Sequence, residues 1–444
     1  MSIQVSNIKV PKLSGLDRDQ TQHSTALESG RGFVTKSVAA VCGSGQRVRT
    51  ISGSSVGKPV LTSKAKANYL RLKKQGKIVP YEAPEWAKCI APHMIPKEKL
   101  VMSHDDTPVQ KWELPEVPKD FNLYIKREDL NGNLLAGNKI KKLEFSLAKA
   151  IKDGCDHILT TGTAVSNHCR TAALCCSELK LKCTLLQTCD EQPENILTKG
   201  NLLPSLLSQA KCVLLPGNST REEVNDMLDD AFDMIKKEGD KPYMILRGGT
   251  QADGVFGYIE IFRQMLNQPN FKNANISDIV VTSGSGGTAI SLAIANKLAF
   301  GKNSQIRVHG MRVWGDRTYG MKMLKKEVEE IGLNYEQDFK DTLVYHDEFV
   351  GAGYGVSKPE IEDTVLSSIK NTGISLCTTY TGKATYGMLE LMKNKPEAFK
   401  GKNVLFMHTG GIPGLWGDSS LHRALENDMK KGDKIMRSDA YFGN

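Results

Sequence analysis

From Phe121 onward the chain alternates between short apolar runs and stretches of helical period. "NLYIKRE", "HILTT", "CTLLQ", "CVLLP", "YMILRG", "DIVVTS", "RVHGMRV" and "NVLFMH" read as strands. Between them lie "KLEFSLAKAIKDG", "HCRTAALCCSELK", "REEVNDMLDDAFDMIKKEG", "GVFGYIEIFRQMLN" and "GTAISLAIANKLA", which read as helices. Consecutive parallel strands need a crossover of a dozen or more residues, usually a helix. The alternation therefore predicts an α/β fold whose sheets are mostly parallel and covered by helices on both faces. With 444 residues, the chain is long enough for two unequal lobes.

The formal charge of +9 invites a nucleic-acid reading, but its distribution argues against one. Residues 1–66 hold ten Lys/Arg and three acids, so about +2 is left for the rest. The body has no basic stripe interleaved with aromatics. Residues 1–66 are rich in Ser, Gly and Thr and lack a period, so they are expected to be a flexible extension. Their scarcity of acids resembles an organellar transit peptide, although no Arg-rich amphipathic helix opens them. No apolar run approaches the ~18 residues of a membrane span. Ten scattered cysteines without a Cys-x-x-Cys pair read as reduced thiols in an intracellular protein.

The most informative loop follows "DIVVT". Ser283-Gly284-Ser285-Gly286-Gly287-Thr288 leads from a buried strand straight into a helix. Glycines let backbone approach an anion, and a helix start offers unpaired N–H donors. This reads as a phosphate cup. Gly287-Thr288 lacks the lysine of a Walker loop, and the dinucleotide spacing and its ribose-binding acid are also missing. A small phosphorylated cofactor remains.

Lys139 is distinguished by its context. It follows Gly137-Asn138 and precedes a helix whose apolar residues Leu143, Leu147, Ala150 and Ile151 recur at helical spacing. If the phosphate belongs to pyridoxal phosphate, one lysine must bond its aldehyde. Lys141 and Lys142, one and two steps round the helix, read as solvated. Ser166-Asn167-His168 opens another helix, where Ser and Asn are favoured caps and could also hold a substrate carboxylate. Tyr354 sits between glycines, Tyr380 and Thr381 precede a helix, and His408-Thr409 follows an apolar strand, with His408 expected to satisfy backbone in a turn.

"KREDLNGNLLAGNKIKKLE", "VSNHCRTAA", "GYGV", "YTGKATYGM" and "HTGGIPGL" occur in that order. Together they resemble the D-cysteine desulfhydrase and 1-aminocyclopropane-1-carboxylate (ACC) deaminase family of pyridoxal-phosphate enzymes, over roughly residues 100–425. The resemblance implies the tryptophan-synthase-β fold (fold type II). In it each of two lobes is an open, mostly parallel twisted sheet covered by helices, with the cofactor in the cleft between them. The expected division is 67–143 with 248–444 as the large lobe and 144–247 as the small one.

It further implies that Lys139 bonds the cofactor and that Ser166 and Asn167 face the substrate carboxylate and the cofactor's phenolic oxygen, beside His168. Ser283 to Thr288 would hold the phosphate, Tyr354 and Tyr380 would flank the substrate, and Thr381 and Thr409 would lie beside the pyridine nitrogen. ACC deaminases carry Glu where Thr381 stands. A hydroxyl leaves that nitrogen neutral, which favours β-elimination of a good leaving group over cyclopropane opening. "TGTAVSNH" departs from the family's Gly-Gly-x-Gln-Ser-Asn at Thr163 and Val165. The expectation is a D-cysteine-cleaving lyase acting on a small amino acid, with no nucleic-acid or membrane partner and a homodimer as the assembly. It would be cytoplasmic, or mitochondrial if residues 1–66 are a transit peptide. An ACC deaminase, a D-serine or β-chloroalanine eliminase, and a non-catalytic pyridoxal-phosphate carrier are the alternatives.

Overall fold

Two parallel-rich sheets carry the structure, a computed structural model that describes residues 62–429 apart from 105, 133–136, 191–199, 302–303 and 417. The strands are β1 (Ile78–Pro80), β2 (Glu98–Leu100), β3 (Val109–Lys111), β4 (Asn122–Arg127), β5 (His157–Thr163), β6 (Lys182–Cys189), β7 (Lys211–Pro216), β8 (Pro242–Ile245), β9 (Asp278–Ser283), β10 (Arg307–Arg312), β11 (Leu343–His346) and β12 (Asn403–His408). The larger sheet runs β11-β10-β9-β12-β4-β3, parallel except for the antiparallel edge strand β3. The smaller sheet runs β7-β6-β5-β8 and is all parallel. β1 and β2 form a separate antiparallel pair. The parallel-rich α/β character is the one expected from the alternation, and the two sheets are the two lobes that the resemblance implies.

The helices that matter to the site are α1 (Ser63–Lys74), α2 (Lys139–Lys152), α3 (Asn167–Leu179), α4 (Arg221–Lys237), α5 (Ala252–Asn267), α6 (Gly287–Phe300), α7 (Arg317–Glu330) and α8 (Thr381–Asn394). Each large-sheet face has its own apolar layer. Phe256, Ile259, Phe262, Leu292 and Ile294 lie on one side, and Trp112, Met388, Leu391 and Met392 on the other. Helix α6 is buried almost all round over its first ten residues, as its continuous apolar sequence requires. On the small sheet, α2 and α3 pack Leu143, Leu147, Ala172 and Cys176 against one face, while Val224, Leu228 and Ile235 of α4 cover the other. Helix α1 begins at Ser63, capped by Thr62, so the last residues of the stretch expected to be flexible are helical. The remainder of that stretch lies outside the described residues. Among the described residues no helix is long and apolar enough to cross a membrane.

The strand orders place the functional crevice. In the large sheet the chain moves from β9 outward to β10 and β11, then returns to lay β12 between β9 and β4. In the small sheet it moves from β5 to β6 and β7, then returns to lay β8 on the other side of β5. Open parallel sheets bind ligands outside the carboxyl ends of strands at such reversals. Here the ends of β4, β9 and β12 meet the ends of β5 and β8, and four of the expected motifs follow β4, β5, β9 and β12.

Candidate active site

Gly137-Asn138-Lys139 forms the entry to α2, and each residue has a distinct physical job. Gly137 has φ +106°, and a Cβ there would stand 2.8 Å from the Thr409 carbonyl oxygen, so only glycine fits. The Asn138 amide N–H donates to that same Thr409 oxygen at 3.2 Å, and its side-chain Nδ2 donates to Thr288 Oγ1 at 2.8 Å. The loops after β4, β12 and β9 are thereby tied together. Lys139, the first residue of α2, donates from Nζ to the Gly248 carbonyl at 3.3 Å, which reaches across to the segment after β8.

Burial, followed by the positive charge of Lys142, pushes the Lys139 ammonium down to about 7. The positive end of the helix dipole disfavours a cation in the same place. At neutral pH a large share of Lys139 is therefore the free amine, the nucleophilic form, whereas a surface lysine is almost wholly protonated.

Lys141 and Lys142 correct the expectation of solvated charges, for both are about 1% exposed. Helix α2 is covered by α5 on one side and by α3 and β2 on others, so its polar positions also face protein. Lys141 Nζ donates to the His104 carbonyl at 3.2 Å. Lys142 reaches the glycine loop, where a Cβ on Gly287 would stand 2.7 Å from Lys142 Nζ and 2.7 Å from Thr250 Oγ1. Burial lowers Lys142 to about 8 and raises its neighbour Glu327 to about 8.

Each cup hydroxyl already accepts a hydrogen bond. Thr250 Oγ1 donates to Ser285 Oγ at 2.7 Å, Asn138 to Thr288, and Arg312 Nη1 to Ser283 Oγ at 3.2 Å. An accepting hydroxyl keeps its own proton free to donate, so Ser285 and Thr288 are oriented as donors to an anion. The first N–H groups of α6 add backbone donors. Thr250 and Arg312 carry no signal of their own for this role in the sequence, and Lys142 reads there as solvated. The one local signal was the Gly-Gly of "RGGT", which brings Gly248 against Ser285.

On the small-sheet side Ser166 caps α3, its Oγ accepting from the Cys169 N–H at 3.3 Å. Asn167 Oδ1 is buried with no partner, and its Nδ2 lies 3.6 Å from where a Cβ on Gly411 would be. His168 points inward toward Gly249 and the two lysines. Thr160 Oγ1 donates to the Ile245 carbonyl at 2.6 Å, so His168 Nε2, 2.9 Å away, must donate to Thr160. That fixes the tautomer and leaves Nδ1 bare. Burial and the charges of Lys139 and Lys142 hold the ring neutral.

Tyr354 and Tyr380 hydrogen-bond to each other through their hydroxyls, with rings edge to face at 5.7 Å. Gly284 lies against Tyr380, so the pair stands over the cup. Burial raises both phenols, which stay protonated as proton donors at neutral pH. Thr381 is fully buried, accepting from the Cys377 N–H at 2.9 Å and donating to Cys377 Sγ at 3.6 Å. Thr409 contributes its carbonyl to Asn138. His408 bonds the Ser375 carbonyl and the Gly410 N–H, the backbone role expected of it.

A lysine of lowered basicity facing a glycine cup with the buried Lys142 behind it fits pyridoxal phosphate, and the Asn167 amide, whose Oδ1 has no partner, can turn its N–H donors toward the phenolic oxygen. Fold and site together define a pyridoxal-phosphate enzyme. A family model described as "Pyridoxal-phosphate dependent enzyme" matches residues 102–410, and the chain belongs to that family, in its D-cysteine desulfhydrase and ACC deaminase branch. An Arabidopsis thaliana protein named "Bifunctional D-cysteine desulfhydrase/1-aminocyclopropane-1-carboxylate deaminase, mitochondrial" is 34% identical over 362 residues, covering 80% of this chain and 88% of that protein. The crystal structure of an ACC deaminase homologue matches with TM-score 0.64 at 29% identity, covering 74% of this chain and 96% of the other. O-ureido-L-serine synthase, at 16% identity and TM-score 0.50 over 76% and 96% of the two chains, shares the fold.

Proposed function

We propose that the chain catalyses β-elimination on a D-amino acid, D-cysteine first, giving pyruvate, hydrogen sulfide and ammonia. The observation that carries this reading is the closed Thr381–Cys377 pair, two neutral groups where a carboxylate would be needed to keep the cofactor's ring nitrogen protonated. Bound pyridoxal phosphate would supply the aldehyde that takes up the substrate amine and a ring that spreads charge from Cα. Lys142, Ser285, Thr288 and the start of α6 would hold its phosphate, and Asn167 its phenolic side.

Around that group the chain's own residues do the work. Ser166 and the first turn of α3 hold the substrate carboxylate. Lys139 Nζ, its basicity lowered so that a large share is free amine at pH 7, removes the Cα proton. Tyr380 and Tyr354, sharing a proton-bearing contact, deliver a proton to sulfur as the Cβ–S bond breaks. The two sheet ends enclose the reaction and keep water from the charge developing at Cα. The lobe boundaries 67–143 with 248–444, and 144–247, are part of this proposal and are supported by the two separate sheets. A homodimer also belongs to the proposal, as does a cytoplasmic location that becomes mitochondrial if residues 1–66 are a transit peptide. The Arabidopsis relative's name supports the mitochondrial variant.

ACC deamination is the second reading, favoured by the other activity in that relative's name. Holoprotein offered D-cysteine, D-serine, β-chloro-D-alanine and ACC, with sulfide, pyruvate and α-ketobutyrate measured, separates them. Sulfide and pyruvate in equal amounts support elimination. α-Ketobutyrate from ACC as the dominant product overturns it.

A further inference from the structure

Two arginines, Arg247 and Arg221, have no place in the reading above. Arg247 opens the single turn Arg247–Gly249 after β8, directly before the Gly248 carbonyl that accepts from Lys139. That turn packs against α2, α3 and the end of β5. Arg221 is the first residue of α4. Its guanidinium carbon lies 4.1 Å from the Tyr319 ring centroid and 4.8 Å from that of Trp314, and Nη1 donates to the Tyr319 hydroxyl. Tyr319 and Trp314 follow β10 of the large sheet, so Arg221 reaches from the small-sheet side to the large one.

The charges facing this corner are mostly positive. Arg312, 5.8 Å from the Tyr319 ring, is occupied by Ser283 Oγ and the Trp314 carbonyl. Asp316 caps α7 through the Tyr319 N–H, and Glu223 is committed to the capping box of α4 with Thr220. The Cys169 thiol and the Tyr354 phenol are among the groups that act on the Arg247 charge. Among the described residues neither Arg221 nor Arg247 forms an ion pair with a carboxylate. Burial, then the charge of Arg221, disfavours the cation at Arg247. The Arg221 guanidinium, held by aromatic faces, is positioned without being neutralised, and beyond the Nη1 that donates to Tyr319 it has further in-plane N–H donors to offer a carboxylate or sulfonate. Trp314 is 38% exposed, so this corner is in contact with solvent.

We propose that Arg247 and Arg221 form an anion subsite that receives a permanent negative charge on the group leaving Cβ. The preferred substrates are then D-amino acids with a β-thio substituent ending in a carboxylate or sulfonate, and D-cysteine, whose leaving group lacks that charge, is the parent compound that leaves the subsite empty. The inference rests on the elimination reading for its leaving group. The Cβ–S bond breaks with its electron pair going to sulfur, the Cα proton goes to Lys139, and water completes release of pyruvate and ammonia. The co-product is the free acidic thiol.

The test is a matched pair, S-carboxymethyl-D-cysteine and its neutral amide S-carbamoylmethyl-D-cysteine, given to the holoprotein with pyruvate and free thiol measured. A charge-assisted pair predicts roughly tenfold higher kcat/KM for the acid. That ratio should fall toward one in Arg247→Met, fall partly in Arg221→Met, and recover partly in Arg247→Lys. A ratio near one in the unaltered chain, or one that survives both methionine variants, overturns the subsite. Spectral titration of the bound cofactor reads the same ratio in binding. Binding without turnover thus sinks the elimination reading, while the acid-to-amide binding ratio still decides the subsite.

Discussion

Lys139 Nζ lies 3.3 Å from the carbonyl oxygen of Gly248, and through that contact the switch points of two separate sheets meet. One partner starts a helix after a large-sheet strand, and the other follows the last strand of the small sheet. The lysine's lowered basicity arises from this enclosure, since burial is its leading cause.

The first prediction concerns pH. Lys139 must be unprotonated to add to an aldehyde, and its ammonium is pushed down to about 7. Trapping pyridoxal phosphate on the apoprotein with borohydride, followed by peptide mapping, should give a rate that climbs through pH 7 and levels above about 8. A solvated lysine would climb toward its ordinary value of about 10.4. In stability the sign is fixed by the same shift. Between about 7 and 10.5 the folded chain binds fewer protons at this site than the unfolded one, so the site's contribution to apoprotein stability rises with pH across that window.

The cup should tolerate no side chain at Gly287. A Cβ there meets Lys142 Nζ and Thr250 Oγ1, both at 2.7 Å. Gly287→Val should weaken retention of pyridoxal phosphate by tenfold or more, a loss of about 1.4 kcal/mol or greater. Lys142→Met should do the same through lost charge, and dialysis followed by cofactor absorbance measures both.

Removing the Tyr380 hydroxyl should separate binding from chemistry. Tyr380→Phe should lower kcat for D-cysteine by roughly 10²–10⁴, the usual range for a positioned proton donor, with little change in cofactor retention. Steady-state sulfide release checks it. The same variant should lose far less with β-chloro-D-alanine, whose chloride needs no proton to leave.

Gly137→Ala should cost stability and site geometry together. Its φ of +106° and the 2.8 Å approach of Thr409 oxygen predict a loss of about 1–3 kcal/mol. Thermal unfolding reads the loss, and slower trapping at Lys139 reads the displaced loop.

Much of this could be read in the sequence. The eight strand segments read from the apolar pattern all correspond to sheet strands, although "YMILRG" stops at Ile245 because Arg247-Gly-Gly turns away. The missing strands are the short ones, such as Val109–Lys111 and Leu343–His346, whose three or four residues carry no period. Lys139 stands out through its Gly-Asn neighbours, whereas Lys141 and Lys142 read as solvated and are buried. Helical spacing reports one apolar face and says nothing of a helix covered on several sides. Thr250, Arg247 and Arg312 carry no local motif. They enter the site because strand order brings the ends of β8 and β10 to it, which is information held in the topology.

The measurement that bears most directly on the account is sulfide and pyruvate release from D-cysteine by the holoprotein, beside the Lys139→Ala variant. The account predicts equal sulfide and pyruvate from the unaltered chain and loss of turnover in the variant. Full turnover by Lys139→Ala, or no sulfide from a cofactor-loaded unaltered chain, would contradict it.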